Sequence, residues 1–93
     1  MSESGNSIDP FRLLLVDLSD ELQAKDVDRL KYLAGIGEAV EEECDSGLDV
    51  FRELVRLTTI ADNNVDFLKQ LMKSVKRHDL VIRIGMVIHL TYY

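Results

Sequence analysis

The chain has 93 residues, of which 46% are hydrophobic and 30% charged, and it carries a formal net charge of −6 at pH 7. This length allows one globular domain, and one proline and five glycines are too few for a sandwich or a barrel with many turns. The acidic balance argues against a nucleic-acid duplex as the partner.

The chain opens on a polar stretch, residues 1–8, which is predicted to be a disordered lead. Asp9-Pro10 then has the form of a helix start, an acidic N-cap followed by proline in the first turn. The apolar residues that follow fall on one face of a helix, at Phe11, Leu14, Leu15, Leu18 and Leu22. These spacings predict the first helix.

A second amphipathic stretch runs from Lys25 to Ala34 and ends at the glycines Gly35 and Gly37. Its apolar face comprises Val27, Leu30, Leu33 and Ala34, which places Leu33 mainly in the core. The acidic segment 38–43 follows and is long enough for only one or two helical turns.

Three further apolar stripes predict three more helices. They comprise Leu48, Phe51, Leu54 and Val55, then Val65, Leu68, Leu71, Met72 and Val75, and last Leu80, Ile84 and Val87. Residues 85–93 form an apolar tail that either extends the last helix or trails as an exposed end. No segment alternates with period two. The sequence therefore predicts an all-α domain, an antiparallel bundle of six helices in which the third is short.

Some apolar side chains point away from these faces when each residue is given about 100° of helical rotation. Tyr32 lies opposite the apolar face of the second helix, while Leu13 and Val16 lie off that of the first. Two adjacent helices thus each present apolar side chains to solvent, which is how a partner-binding patch begins.

The same rotation separates two acids of the second helix. Asp28 points outward, whereas Asp26 lies at the edge of the buried face. Arg77 and Asp79 stand at the junction into the last helix, and Asp26 is placed to reach Arg77. An arginine between two carboxylates would form a bidentate network of defined geometry rather than a loose surface pair.

No catalytic, cofactor-binding or metal-binding pattern stands out. Cys44 is the only cysteine, so no internal disulfide is expected, and a reducing compartment (cytoplasm, or also nucleus) is the predicted setting. His78 and His89 have no further ligand at metal-binding spacing. The string Asp45-Ser46-Gly47-Leu48 is similar to the phosphopantetheine attachment motif of acyl-carrier proteins, with a glycine inserted before the leucine. A carrier modified at Ser46 is therefore an alternative from another class. No signal peptide and no run that could span a bilayer are recognised.

Together these pieces resemble the death effector domain, a six-helix member of the death-fold superfamily. The string Arg77-His78-Asp79-Leu80 matches the Arg-x-Asp-Leu signature of that family, and Asp26 stands where the family carries the acid that completes a charge triad. The strings Asp9-Pro10-Phe11 and Ser46-Gly47-Leu48-Asp49-Val50-Phe51 are similar to adaptor members of the family. The resemblance covers residues 9–84.

The resemblance implies a non-enzymatic adaptor or regulator in death-receptor signalling and apoptosis, without a cofactor. Domains of this family bind one another, stack into oligomers or filaments, and recruit caspase precursors. Their partner-binding hydrophobic patch maps here onto Val16, Tyr32 and Leu33. A related death-fold module of the caspase-recruitment or pyrin type is an alternative, and the sequence leaves open whether the protein promotes or blocks apoptosis.

Overall fold

The computed structural model describes the backbone of residues 8–92, and the side chains in that range except at positions 38, 40, 41 and 92. Apart from its last residue, Ile8, the predicted disordered lead lies outside the described residues, as does the final residue of the tail.

Helices account for most of the described chain. They are α1 (Pro10–Glu21), α2 (Ala24–Ala34), α3 (Glu38–Glu43), α4 (Gly47–Arg56), α5 (Asp66–Ser74) and α6 (His78–Tyr92). Residues 8–92 contain no β-strand, only an isolated bridge between Ala61 and Asn64. The predicted all-α class is confirmed. Of the two possibilities for the tail, its described part continues α6.

Two helix starts form at the residues that the sequence marks for them. The Asp9 carboxylate accepts a hydrogen bond from the Phe11 N–H at 3.2 Å, and Pro10 opens α1. The Ser46 hydroxyl accepts one from the Asp49 N–H at 3.3 Å and so caps α4. Each cap satisfies an N–H group that the helix itself leaves without a partner.

One core lies between the helices, with α1 packed against α4 and α6, α5 against α6, and α2 against α4 and α5. Its fully buried side chains include Leu14, Leu18, Leu30, Phe51, Leu54, Leu68, Met72, Leu80 and Ile84. Most members of the predicted stripes are thus buried together. Among the described helices, none is long and apolar enough to cross a membrane.

The second helix departs from its predicted face. Leu30 is fully buried, but Leu33 is 43% exposed, so its assignment mainly to the core is wrong. The buried positions of α2 are Asp26 and Leu30, one turn apart, and this side of the helix faces α4 and α5. The apolar residues alone place the centre of this helix face too close to Leu33, because the buried Asp26 also belongs to the face.

Candidate functional site

The turn between α5 and α6 fixes the main chain of Arg77 on both sides. The Arg77 N–H donates to the Met72 carbonyl at 2.9 Å, and the Lys76 N–H donates to the Lys73 carbonyl at 3.1 Å. This is the Schellman pattern that closes a helix, with Lys76 in the left-handed conformation at φ 65°. The Arg77 carbonyl then accepts from the Leu80 N–H at 3.0 Å as α6 begins.

The Arg77 guanidinium brings three segments together. Its Nε and Nη2 donate to the two carboxylate oxygens of Asp79 at 3.1 and 3.0 Å, a bidentate pair. Its Nη1 donates to the Glu21 carbonyl at 2.8 Å and to Oδ2 of Asp26 at 3.4 Å. The end of α1, the start of α2 and the start of α6 therefore meet on one side chain.

Asp26 is the buried member of this network, with 3% of its surface exposed. Its Oδ2 also accepts from the Gln23 N–H at 3.0 Å, as part of a capping box that opens α2. Asp79 lies at the exposed end, where its hydrogen bonds from Arg77 lower the pKa of the carboxyl. The same bonds raise the pKa of Arg77, so the guanidinium stays charged. The predicted triad residues are in contact, as their charges and positions suggested.

The structure divides the predicted hydrophobic patch between two places. Tyr32 is 84% exposed and lines a shallow depression on α2 with Asp28, Arg29 and Leu33. We call the outward group Asp28, Tyr32 and Leu33 the α2 knob. Val16, 38% exposed, lines a different surface.

That second surface is a groove between α1 and α4. We call it the α1/α4 groove, and it is lined by Arg12, Leu15, Val16, Leu48, Arg52, Val55 and Arg56. Apolar side chains form part of its wall, and three arginines stand around them, so the groove suits an apolar group that carries an acid beside it.

Sequence reasoning missed the arginines of this groove. Arg12 lies on α1 and the other two on α4, and no local pattern says that these helices are neighbours. Arg56 forms an ion pair with Glu53, and Nε of Arg12 lies 4.0 Å from Oδ2 of Asp9. Arg52 forms no ion pair within the part of the chain that the structure describes, which leaves its guanidinium available to a partner.

The Asp45-Ser46-Gly47-Leu48 string has a structural explanation. Ser46 caps α4, and the Leu48 N–H donates to the Ser19 hydroxyl of α1 at 2.9 Å. A Cβ atom at Gly47 would lie 2.7 Å from Cδ1 of Leu22, so the glycine lets α4 begin close against α1. Helix capping and close packing account for these residue types.

Among the described residues, the remaining reactive side chains form no site. Cys44 is buried, and this burial raises the pKa of its thiol, which keeps it in the unreactive form. Across the described residues, no three His, Cys, Asp or Glu side chains are grouped so that they could hold a metal ion.

The family model and the similar proteins found by comparison with known proteins agree with each other. A family model described as "Death effector domain" matches residues 11–87. The human "FAS-associated death domain protein" is 33% identical over 79 residues, which cover 83% of this chain and 38% of that protein. The proteins of the same name from Mus musculus and Bos taurus are 34% and 33% identical over equal lengths. The chain thus spans well under half the length of these relatives.

Proposed function

This chain belongs to the death effector domain family, and on that premise we propose that it is a non-enzymatic interaction module in apoptosis signalling. Its partners would be other death effector domains, those of caspase precursors and adaptors, and further copies of itself. We place it in the cytoplasm. The fold we propose is the six-helix antiparallel bundle of the death fold, with the domain proper at residues 9–84.

The observation that carries the proposal is the exposed ring of Tyr32. An aromatic side chain 84% exposed on a helix has no packing role in its own domain, whereas buried aromatic residues dominate the energetics of interfaces. Leu33 widens the apolar area beside it. Asp28, one turn earlier on the same face of α2, adds a negative charge.

The α1/α4 groove has the complementary chemistry. Its apolar wall would take the Tyr32 ring, and Arg52, which forms no ion pair with a described residue, would take the Asp28 carboxylate of the partner. We propose that each copy places its knob in the groove of one neighbour and receives the knob of another, so that the contact is head-to-tail and each added copy leaves one free knob and one free groove. Such a contact builds a ring or an open chain of copies rather than a two-fold dimer.

The charge triad has a supporting role in this proposal. Arg77 holds the start of α2 against the start of α6, so it sets how α2 is presented to a partner. We propose that Asp26, Arg77 and Asp79 fix the surface between these two helices, and that Val16, Tyr32 and Leu33 contact the partner directly.

The test is capture of the tandem death effector domains of a caspase precursor by the wild-type protein and by Tyr32→Ala. The control is Leu90→Ala, since Leu90 is 78% exposed but lies on α6. Capture by wild type and Leu90→Ala, with loss in Tyr32→Ala, supports the proposal. Failure of folded wild-type protein to capture the domains would refute it and direct attention to caspase-recruitment or pyrin-type partners.

A further inference from the structure

Beside the α2 knob lies a second depression, and its character is basic. Lys25, Arg29, Lys76 and Arg77 line it together with Glu21, Gln23, Asp26 and Val75. Arg29 borders the α2 knob as well, so the two surfaces are continuous. We call Lys25, Arg29 and Lys76 the basic cluster. The chain as a whole has a net charge of −6, so the surface charge at this group of cations is opposite in sign to that of the whole chain.

The basic cluster is not used by the fold itself. All three side chains are exposed, and none of them forms an ion pair with another described residue. Arg77, by contrast, is fully occupied by Asp79, Asp26 and Glu21. The cluster therefore offers three charges to an anionic partner.

Lys76 occupies a backbone position that favours glycine. Its φ of 65° lies in the left-handed region, at the position after a helix C-cap where glycine is the usual residue. A lysine there holds a less stable backbone conformation than glycine would. Strained non-glycine residues of this kind are often found at functional sites.

The chain also carries an acidic segment that the proposed function does not use. Residues 41–43 are three successive glutamates at the end of α3, and Asp45 stands two residues beyond them. The side chains of Glu42 and Glu43 are exposed and form no ion pair with the described residues. Their two carboxylates are opposite in charge to the three cations of the basic cluster.

We infer that the basic cluster binds the acidic end of α3, Glu42 and Glu43, of a second copy of this chain. The inference rests on the proposed function, because it adds a second contact to the same homotypic association. Like the first contact, this one is head-to-tail in the proposed assembly and repeats from copy to copy. Its strength falls as salt is added, since all the charges are exposed.

The sharpest variant is Lys76→Gly, because the inference predicts two effects of opposite sign. Glycine relieves the left-handed backbone, so the thermal midpoint should rise, while self-association should weaken by about 1.4- to fivefold, the range for one exposed ion pair. Sedimentation velocity at low salt measures the association. A higher midpoint with unchanged association would overturn the inference.

Charge reversal provides the second arm. Lys25→Glu/Lys76→Glu and Glu42→Lys/Glu43→Lys should each associate poorly alone, and mixing them should restore association. Lys73→Glu is the control, since Lys73 is an exposed cation outside the depression. No recovery on mixing, or equal weakening by the control, would overturn the inference.

The two proposals fail in distinguishable ways. If Tyr32→Ala abolishes association while the basic-cluster variants behave like wild type, the proposed function stands and this second contact does not exist. If the wild-type protein does not self-associate at low salt, the contact between copies is overturned, and capture of caspase-precursor domains still tests the proposed function on its own.

Discussion

Replacing Arg77 with alanine should destabilise the domain far more than loss of a surface charge pair. The variant loses a charged hydrogen bond to the Glu21 carbonyl, a type worth about 1.5–3 kcal/mol. It also leaves Asp26 buried without its cation, which by itself costs up to about 3–5 kcal/mol. Asp26 keeps its hydrogen bond from the Gln23 N–H, which reduces that cost. We expect a total loss of about 2–4 kcal/mol in the free energy of unfolding.

This loss can be measured by urea unfolding monitored by circular dichroism. It appears as a shift in the urea concentration at the midpoint while the m-value stays constant. Arg83→Ala is the matched control, because Arg83 lies on α6, the helix that follows Arg77, and its half-exposed Nη1 lies 3.9 Å from Oε2 of Glu21. Its removal should cost no more than about 1 kcal/mol. Equal losses in the two variants would refute the argument that Arg77 joins α1, α2 and α6.

Two further predictions concern packing and pH. Gly47→Ala should cost no more than about 1 kcal/mol in the same urea measurement, because the new Cβ would displace only Cδ1, the end of the flexible Leu22 side chain, and alanine favours the helix; a loss well above that value would show that Leu22 is held rigidly between α1 and α4. Arg77 lowers the pKa of Asp79 in the folded state, so this carboxylate contributes stability above its unfolded pKa of about 3.9, and the contribution is lost as pH falls through the lower folded value. Asp79→Asn should therefore flatten the acid-side decline of the thermal midpoint, and an unchanged profile would show that the pair has no energetic effect.

The sequence predicts the helix faces well because they depend on local spacing. The stripe of α1 identifies its buried residues Phe11, Leu14 and Leu18, and helical rotation places Asp26 at the edge of the α2 face, where it is indeed buried. The same method misplaced Leu33. Apolar periodicity locates a helix face from apolar residues alone. Where a buried acid such as Asp26 completes the face, the predicted centre of that face is therefore displaced from the true one.

Features that depend on which helices are neighbours were beyond the sequence. Arg12 and Arg52 meet at one groove only because α1 packs on α4, a pairing that no local pattern gives. The sequence also gives no sign of the left-handed backbone at Lys76, because glycine, the residue that usually marks this conformation, is not at that position.

The central claim is that the α2 knob of one copy enters the α1/α4 groove of the next, and complementation between two variants tests it most directly. Tyr32→Ala keeps its groove, and Arg52→Glu keeps its knob. At a salt concentration that screens the contact of the basic cluster, each alone should remain monomeric by sedimentation velocity, and an equimolar mixture should form a one-to-one complex that does not grow further. A mixture that stays monomeric, or single variants that assemble like the wild type, would contradict the account.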